Sequence, residues 1–381
     1  IQGLTDVTNI YATTGGDVNG DGLDDILIND GVNAAYVVFG KTSDAPINVS
    51  SLAAGVGGFK LIGQATNGIT DVDMVGDFNG DGLADMLVSE FGMPLNSTSA
   101  IGLGYLVYGR TGTTAITLSD LAASEGFRIN GVSPNGYSGY TINGAGDVNG
   151  DGIDDFLVSN YPNSIKPDSK IYVVFGKAGN MGPLDLASLS ASQGFAINHT
   201  SGEMQRGHYA GDINGDGLAD IVVGGVNNYA WVVYGKADGN TVALSTNMGT
   251  SGYMIQNTSV SQLGFDVSTA GDFNGDGIAD LLLGSGNGST GYIIYGRKDQ
   301  TGNIVFGANS TLGTNGFTVT APSGSVDAVS NVGDINGDGL ADVALAVDGN
   351  RTWVVYGRTD SGNITTAALG TTGFSIAGNT T

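Results

Sequence analysis

Short apolar runs recur along the whole chain, each bounded by glycine or by clusters of Asp, Asn and Ser. One set reads Ile26-Leu27-Ile28, Met86-Leu87-Val88, Phe156-Leu157-Val158, Ile221-Val222-Val223, Leu281-Leu282-Leu283 and Val343-Ala344-Leu345. A second set holds aromatic residues and closes on aromatic-Gly-basic, as in Tyr36-Val37-Val38-Phe39-Gly40-Lys41. Its later copies end at Arg110, Lys177, Lys236, Arg297 and Arg358. A third set, G-[FY]-x-[ILV], starts at Gly58, Gly126, Gly194, Gly252, Gly316 and Gly373. Runs of this length and composition, punctuated by turn residues, predict β-strands, and no helical pattern flanks them. The segments before the third set, such as Leu118–Ala123, predict at most a helical turn.

Polar residues show a stricter order. The stretch Asp17-Val18-Asn19-Gly20-Asp21-Gly22-Leu23-Asp24-Asp25 recurs with first residues Asp77, Asp147, Asp212, Asp272 and Asp334, 60 to 70 residues apart. Every copy reads D-x-N-G-D-G-[LI]-[AD]-D. Side-chain oxygens therefore fall at positions 1, 3, 5 and 9: Asp17, Asn19, Asp21, Asp25; Asp77, Asn79, Asp81, Asp85; Asp147, Asn149, Asp151, Asp155; Asp212, Asn214, Asp216, Asp220; Asp272, Asn274, Asp276, Asp280; Asp334, Asn336, Asp338, Asp342. Glycines at positions 4 and 6 permit the positive φ angles with which a tight loop curls around one point. Three carboxylates aimed at that point repel one another unless a hard cation sits there. A plain Asp/Asn/Gly turn without metal is the competing reading, and six copies that keep all four oxygen positions argue against it.

The spacing resembles the first half of an EF-hand loop, in which positions 1, 3, 5 and 7 supply ligands and position 6 is glycine. It departs at the far end, where position 12 of the first copy is Ile28, so Asp25 at position 9 is the expected closing ligand. Strands on both sides make the loop a hairpin rather than a helix-loop-helix.

Each repeat thus predicts four short strands: one before the loop, one after it, the aromatic one and the G-F one. Such a sheet cannot bury both faces alone, and packing sheets radially into a propeller of 4 to 8 blades solves that. The expected fold is all-β, a six-bladed propeller of four antiparallel strands per blade in one domain, with blades near 4–63, 64–131, 132–199, 200–257, 258–321 and 322–381. Ile1-Gln2-Gly3 echoes Ile376-Ala377-Gly378, so the termini either meet at one sheet edge or belong to a longer, seven-bladed array.

Composition sharpens the chemistry. The 381 residues carry a formal charge of −24, and only Glu90, Glu125 and Glu203 among the 37 acids are glutamate. An aspartate bias of that kind points to metal loops rather than to general surface acidity. Thirteen Lys plus Arg without a basic block exclude nucleic acid as the expected partner. No apolar run approaches the ~18–20 residues of a membrane span. The chain lacks cysteine, so no disulfide scaffold is expected. Loops of this weak class fill where calcium is millimolar, which predicts a secreted or cell-surface protein. The start at Ile1 rather than Met suggests a processed or excised piece of a larger surface protein.

With loop, apolar strand, aromatic strand and G-F strand in place, the whole chain resembles FG-GAP repeats, as in the N-terminal propeller of integrin α subunits and in bacterial surface proteins with related VCBS-type repeats. The resemblance implies Ca²⁺, about six ions, bound between the first two strands of each blade. It also implies backbone-carbonyl ligands at position 7: Leu23, Leu83, Ile153, Leu218, Ile278 and Leu340. Two departures stand out. The Gly-Ala-Pro that often ends the second strand is replaced by pairs such as Asn29-Asp30, and integrin α propellers have seven blades.

Hairpin order places the metal loops and the basic residues Lys41, Arg110, Lys177, Lys236, Arg297 and Arg358 on one face, where the bases are expected to neutralise loop charge. Loops on the opposite face, the longest being 91–100 and 161–168, are the expected contact surface for a protein or glycan ligand. The leading expectation is a calcium-binding extracellular module for binding or adhesion, with a carbohydrate-binding lectin as alternative. A third reading, an enzyme such as a sugar lyase or dehydratase, would use His199, Glu203, Arg206 and His208. No cysteine, G-x-S-x-G elbow or HExxH motif supplies a recognisable catalytic constellation.

Overall fold

The computed structural model describes residues 12–64, 68–90, 102–132, 138–160, 170–199, 204–225, 227–259, 262–298, 300, 302–307, 312–347, 351–360 and 362–378. Within these the chain is all-β, in six separate sheets of four or five strands. This is the blade set of a six-bladed propeller. The first blade is built from Ala12–Thr14, Ile26–Asn29, Ala34–Val38 and Gly58–Ile62, in consecutive antiparallel order. The second uses Asp71–Gly76, Asp85–Glu90, Leu103–Val107 and Gly126–Asn130. The remaining four repeat this order, ending with Val326–Gly333, Asp342–Val347, Arg351–Val355 and Gly373–Ala377. The only α-helix among the described residues is the single turn Val49–Ala53, with 3-10 turns such as Leu118–Asp120 at the matching place in later repeats.

Two features exceed the four-strand expectation. The first strand of later blades runs to eight or nine residues and carries irregular register, as between Leu263 and Val267. In addition, the residues just before three of the 3-10 turns form a fifth, parallel strand on the outer strand of the preceding blade. Ile116-Thr117 pairs with Leu61-Ile62, Leu184-Asp185 with Ile129-Asn130, and Ile364-Thr365 with Val319-Thr320. Two residues are too short a run for periodicity to flag.

Contacts divide the chain into two units, essentially residues 1–197 and 198–381 with small exchanges near 148–150 and 238–241. In the first unit, Phe59 and Leu61 of blade one are buried against Met86, Val88, Tyr105 and Val107 of blade two, with Ile116 and Leu118 closing the cluster. Phe78, Phe127 and Ile129 of blade two pack in the same way on Phe156, Tyr172 and Val174 of blade three. In the second unit, Tyr253 and Ile255 meet Leu281, Leu283 and Tyr292, and Phe317 and Val319 meet Val343, Leu345 and Trp353. One side of these G-F strands thus faces the next blade of the same unit, which is why Phe or Tyr alternates there with Ile, Leu or Val.

Candidate metal loops

All six D-x-N-G-D-G-x-x-D stretches join the first and second strands of their blades, with position 9 at the first residue of the second strand or, for Asp25, just before it. In the second loop, Gly80 and Gly82 adopt φ +72° and +89°, values an L side chain rarely takes. The curl lets the position-1 carboxylate cap its own loop. Asp77 Oδ1 accepts from the N–H of Asp81 at 2.9 Å, and Oδ2 from Gly82 at 2.8 Å. Asp81 Oδ1 accepts from the N–H of Leu83 at 3.0 Å, and Asn79 Nδ2 donates to Asp81 Oδ2 at 2.9 Å. Asp17, Asp212, Asp272 and Asp334 make the same caps in their own loops. The N–H groups of Gly339, Gly337 and Asp338 hold the Asp334 carboxyl below its usual range.

Position 9 differs, because Asp25, Asp85, Asp155, Asp220, Asp280 and Asp342 are fully buried. Asp85 Oδ2 accepts from Phe78 at 3.1 Å, and Oδ1 from the N–H of Gly109 at 2.8 Å. Gly109 is the glycine of aromatic-Gly-basic, so this carboxylate ties the loop to the third strand. Burial pushes the Asp85, Asp220 and Asp280 carboxyls up to about 7. Amide hydrogen bonds oppose that rise, and repulsion from Asp81 and Asp77 adds to it at Asp85. Asp21 and Asp17 act likewise on Asp25. Positions 1, 5 and 9 therefore sense one another's charge in the first, second and fourth loops.

That set fits a hard divalent cation. Its donors are all oxygen, an amide and three carboxylates lie within nine residues, and the mutual repulsion is what such an ion relieves. Among the described residues, no three acidic or histidine side chains are gathered tightly enough to form a coordination shell by themselves. Their oxygens are turned to the loop's own amides instead.

The loops also do something the sequence did not announce. The carbonyl of position 1 accepts from the position-8 N–H of the next loop: Asp17 from Ala84 at 3.0 Å, Asp77 from Asp154 at 3.3 Å, Asp272 from Ala341 at 3.1 Å. The carbonyl of position 2 accepts from the basic residue that ends the next blade's third strand: Val18 from Arg110 at 2.7 Å, Phe78 from Lys177 at 3.0 Å, Phe273 from Arg358 at 2.9 Å. Each such loop staples its blade to the following one.

Other expectations fare differently. The side chains of Arg110 and Arg358 pair with Glu125 and Asp360, not with loop carboxylates, so the expected neutralisation of loop charge by this basic ring is not what these two do. The close approach at their backbones fixes them beside the glycine, and their nearest acids belong to the connection that follows. Arg206 and His208 lie within the strand Met204–Gly211 rather than in a connecting loop. Arg206 pairs with Asp266 at 3.2 Å, His208 Nδ1 contacts the Tyr209 carbonyl oxygen at 3.1 Å, and His199 packs on Trp231. The segments 91–100 and 161–168, and Glu203, lie outside the described residues.

The sequence reading also missed a set of carboxylates on the first strands. Asp73 accepts from Thr13 Oγ1 at 2.8 Å on one side and from the N–H of Gly144 at 3.0 Å on the other, joining blades one, two and three. Asp266 accepts from Arg206 and from the N–H of Val329 at 2.8 Å, joining blades four, five and six. An aspartate inside the first strand of a blade was the available signal.

Comparison with known proteins agrees with this build. Residues 212–283 match the FG-GAP-like repeat and residues 264–303 the FG-GAP repeat. The fold and the loops define a repeat protein made of propeller blades. Residues 212–303 carry FG-GAP-type repeats, and the rest of the chain repeats the same loop and strand pattern. Among solved structures it is similar to BBS1N in its complex with ARL6DN, soaked with lead, at 8% identity and a TM-score of 0.48, covering 93% of this chain and 81% of that one. The mercury-soaked crystal of the same complex gives 7% identity and a TM-score of 0.45, covering 94% and 86%. No curated protein matches the chain.

Proposed function

We propose that this repeat protein is a calcium-stabilised module for binding or adhesion that works outside the cell. The single observation behind the calcium reading is the all-oxygen loop itself, in which the position-9 carboxyl of Asp85 is pushed up by burial and further by repulsion from Asp81 and Asp77. In the first loop the ion would be held by Asp17, Asn19, Asp21 and Asp25 with the carbonyl of Leu23, and in the same register elsewhere. What it would supply is charge: it offsets the repulsion that otherwise loosens a loop stapled to the next blade. A site kept 100-fold above its Kd adds about 2.7 kcal/mol to folding stability, and six sites multiply that leverage. Extracellular calcium is high enough to fill loops of this class, which is the reason for the placement.

The partner is a protein or glycan held on the face away from the loops. A specific observation keeps the glycan in view. In the first unit, a groove of about 240 Å³ brings Gln64, Tyr105, Ser119 and Arg128 together with Phe127 and Met181. Hydroxyl, amide and guanidinium beside an aromatic ring suit a sugar. The chain carries no enzyme assignment in this proposal.

Thermal unfolding with calcium and with excess chelator tests the central claim. The melting temperature is expected to fall by many degrees on chelation and to return on adding Ca²⁺, with about six ions bound by calorimetric titration. An unchanged melting temperature and no bound ion would sink the reading.

A further inference from the structure

The backbone bonds between successive blades also connect the oxygen sets of successive loops. In the second unit, Ile213 donates its N–H to Asp220 Oδ2 at 2.9 Å, and its carbonyl accepts from the N–H of Arg297 at 2.9 Å. Gly296, just before Arg297, donates to Asp280 Oδ1 at 2.9 Å. Three hydrogen bonds thus link the buried position-9 carboxylates of the fourth and fifth loops. The fifth and sixth loops repeat the path from Asp280 through Phe273, Arg358 and Gly357 to Asp342. In the first unit, Asp25 reaches Asp85 through Val18, Arg110 and Gly109. The glycine on each path is wedged between both loops. A Cβ on Gly296 would stand 2.1 Å from the Ala279 carbonyl oxygen of its own loop and 2.8 Å from the Ile213 carbonyl oxygen of the loop before. Gly357 is held likewise between Ala341 and Phe273, at 2.6 and 3.1 Å, and Gly109 between Ala84 and Val18, at 2.7 and 3.1 Å. Neither loop of such a pair can shift without moving the strand end that both share.

We propose that the loops of one unit fill with calcium cooperatively, each occupied loop raising the affinity of its neighbour; this rests on the calcium reading of the loops. Repulsion from Asp216 and Asp212 reaches Asp220 in the fourth loop, and a bound cation relieves it. The relief steadies the carbonyls of Asp212 and Ile213, which hold the N–H groups of Ala279 and Arg297. Those two residues adjoin Asp280 and its partner Gly296. Order gained in the fourth loop is therefore order already present in the fifth, which loses less freedom on filling. That is positive cooperativity without a change of shape. Coupling between binding sites is reciprocal, so the fifth loop acts equally on the fourth.

Calcium titration of the full chain by equilibrium dialysis, read alongside amide exchange, tests this. The binding curve of the parent is expected to be steeper than that of independent sites. Asp276→Ala removes an oxygen ligand from the fifth loop alone, and it is expected to weaken binding of the ions that remain in its unit about five-fold or more. In calcium, exchange at Gly357 and Arg358 is then expected to quicken, although both lie in the next blade. Asp216→Ala is a second variant, read at Gly296 and Arg297, and circular dichroism checks that each variant folds. A parent curve no steeper than independent sites give overturns the proposal. So do variants that lose their own ion while the other loops keep parental affinity, and both results leave the calcium reading standing. A parent that takes up no calcium overturns that reading together with this one.

Discussion

The backbone N–H of Arg110 donates to the carbonyl of Val18 at 2.7 Å, and this bond joins the metal-type loop of one blade to the end of the third strand of the next. Val18 is fully buried beneath it, and its own N–H is held by Asp25 at 2.9 Å. The loop is therefore a joint between sheets as well as a hairpin end. Whatever loosens it is felt in the neighbouring blade.

Asp85→Ala separates these roles. It removes the acceptor of the Asn79 and Gly109 N–H groups and leaves the Phe78 N–H with the Gly76 carbonyl alone, and the loss costs about 2–4 kcal/mol. Asp77→Asn, at a half-buried position, is expected to cost much less in chelator yet to weaken calcium binding. Urea unfolding with and without calcium reads both effects; equal losses for the two variants in chelator would contradict the assignment.

Gly109→Ala tests the aromatic-Gly-basic signature. A Cβ there would stand 2.5 Å from Leu83 Cβ and 2.7 Å from the Ala84 carbonyl oxygen, so the third strand must move away from its loop. A loss of about 1–3 kcal/mol is expected. At Gly182 an added Cβ meets nothing within 4 Å, and Gly182→Ala should lie within about 0.5 kcal/mol of the parent. Chemical denaturation of the pair checks the contrast.

Asp73→Ala removes an acceptor shared by Thr13 and Gly144 and should lower the urea midpoint by the equivalent of about 1–3 kcal/mol. Asp266→Ala should act likewise in the other unit. A double-mutant cycle between Asp73→Ala and Thr13→Val gives the coupling, and a value near zero would remove the bridging role.

Glu90 predicts a pH dependence. Burial raises its carboxyl above the ordinary 4.5, against the pull of the Gln64 N–H on Oε1, and among the described residues Oε2 has no hydrogen-bond partner. The folded state then binds this proton more tightly than the unfolded chain does. Stability from this group is present below 4.5 and is lost as pH rises through the higher folded value. Glu90→Gln should flatten that slope and stabilise the protein above it. Melting curves of parent and variant from about pH 4 to about pH 8 decide the matter, and parallel curves would count against it.

Much of this molecule was readable in one dimension because its information is local. The spacing of Asp17, Asn19, Asp21 and Asp25 with two glycines dictates a curled loop whatever surrounds it, and the apolar runs on either side dictate strands. Repetition then makes the inference robust, since one blade explains six. The helical turn at Leu118–Asp120 was visible for the same reason. Ile116-Thr117 as a fifth strand was not, because two residues carry no period and their partner, Leu61-Ile62, lies more than fifty residues away.

Sequence alone determined the repeat, the strand menu and the set of oxygens at each loop, all of which follow from neighbours along the chain. Tertiary structure alone decided that Asp25 and Asp85 would be sealed from water, that Val18 would reach Arg110, and that Asp73 would serve three blades. Those depend on which surfaces meet across sixty or more residues, and a carboxylate acquires its pKa and its partners only when that meeting excludes solvent.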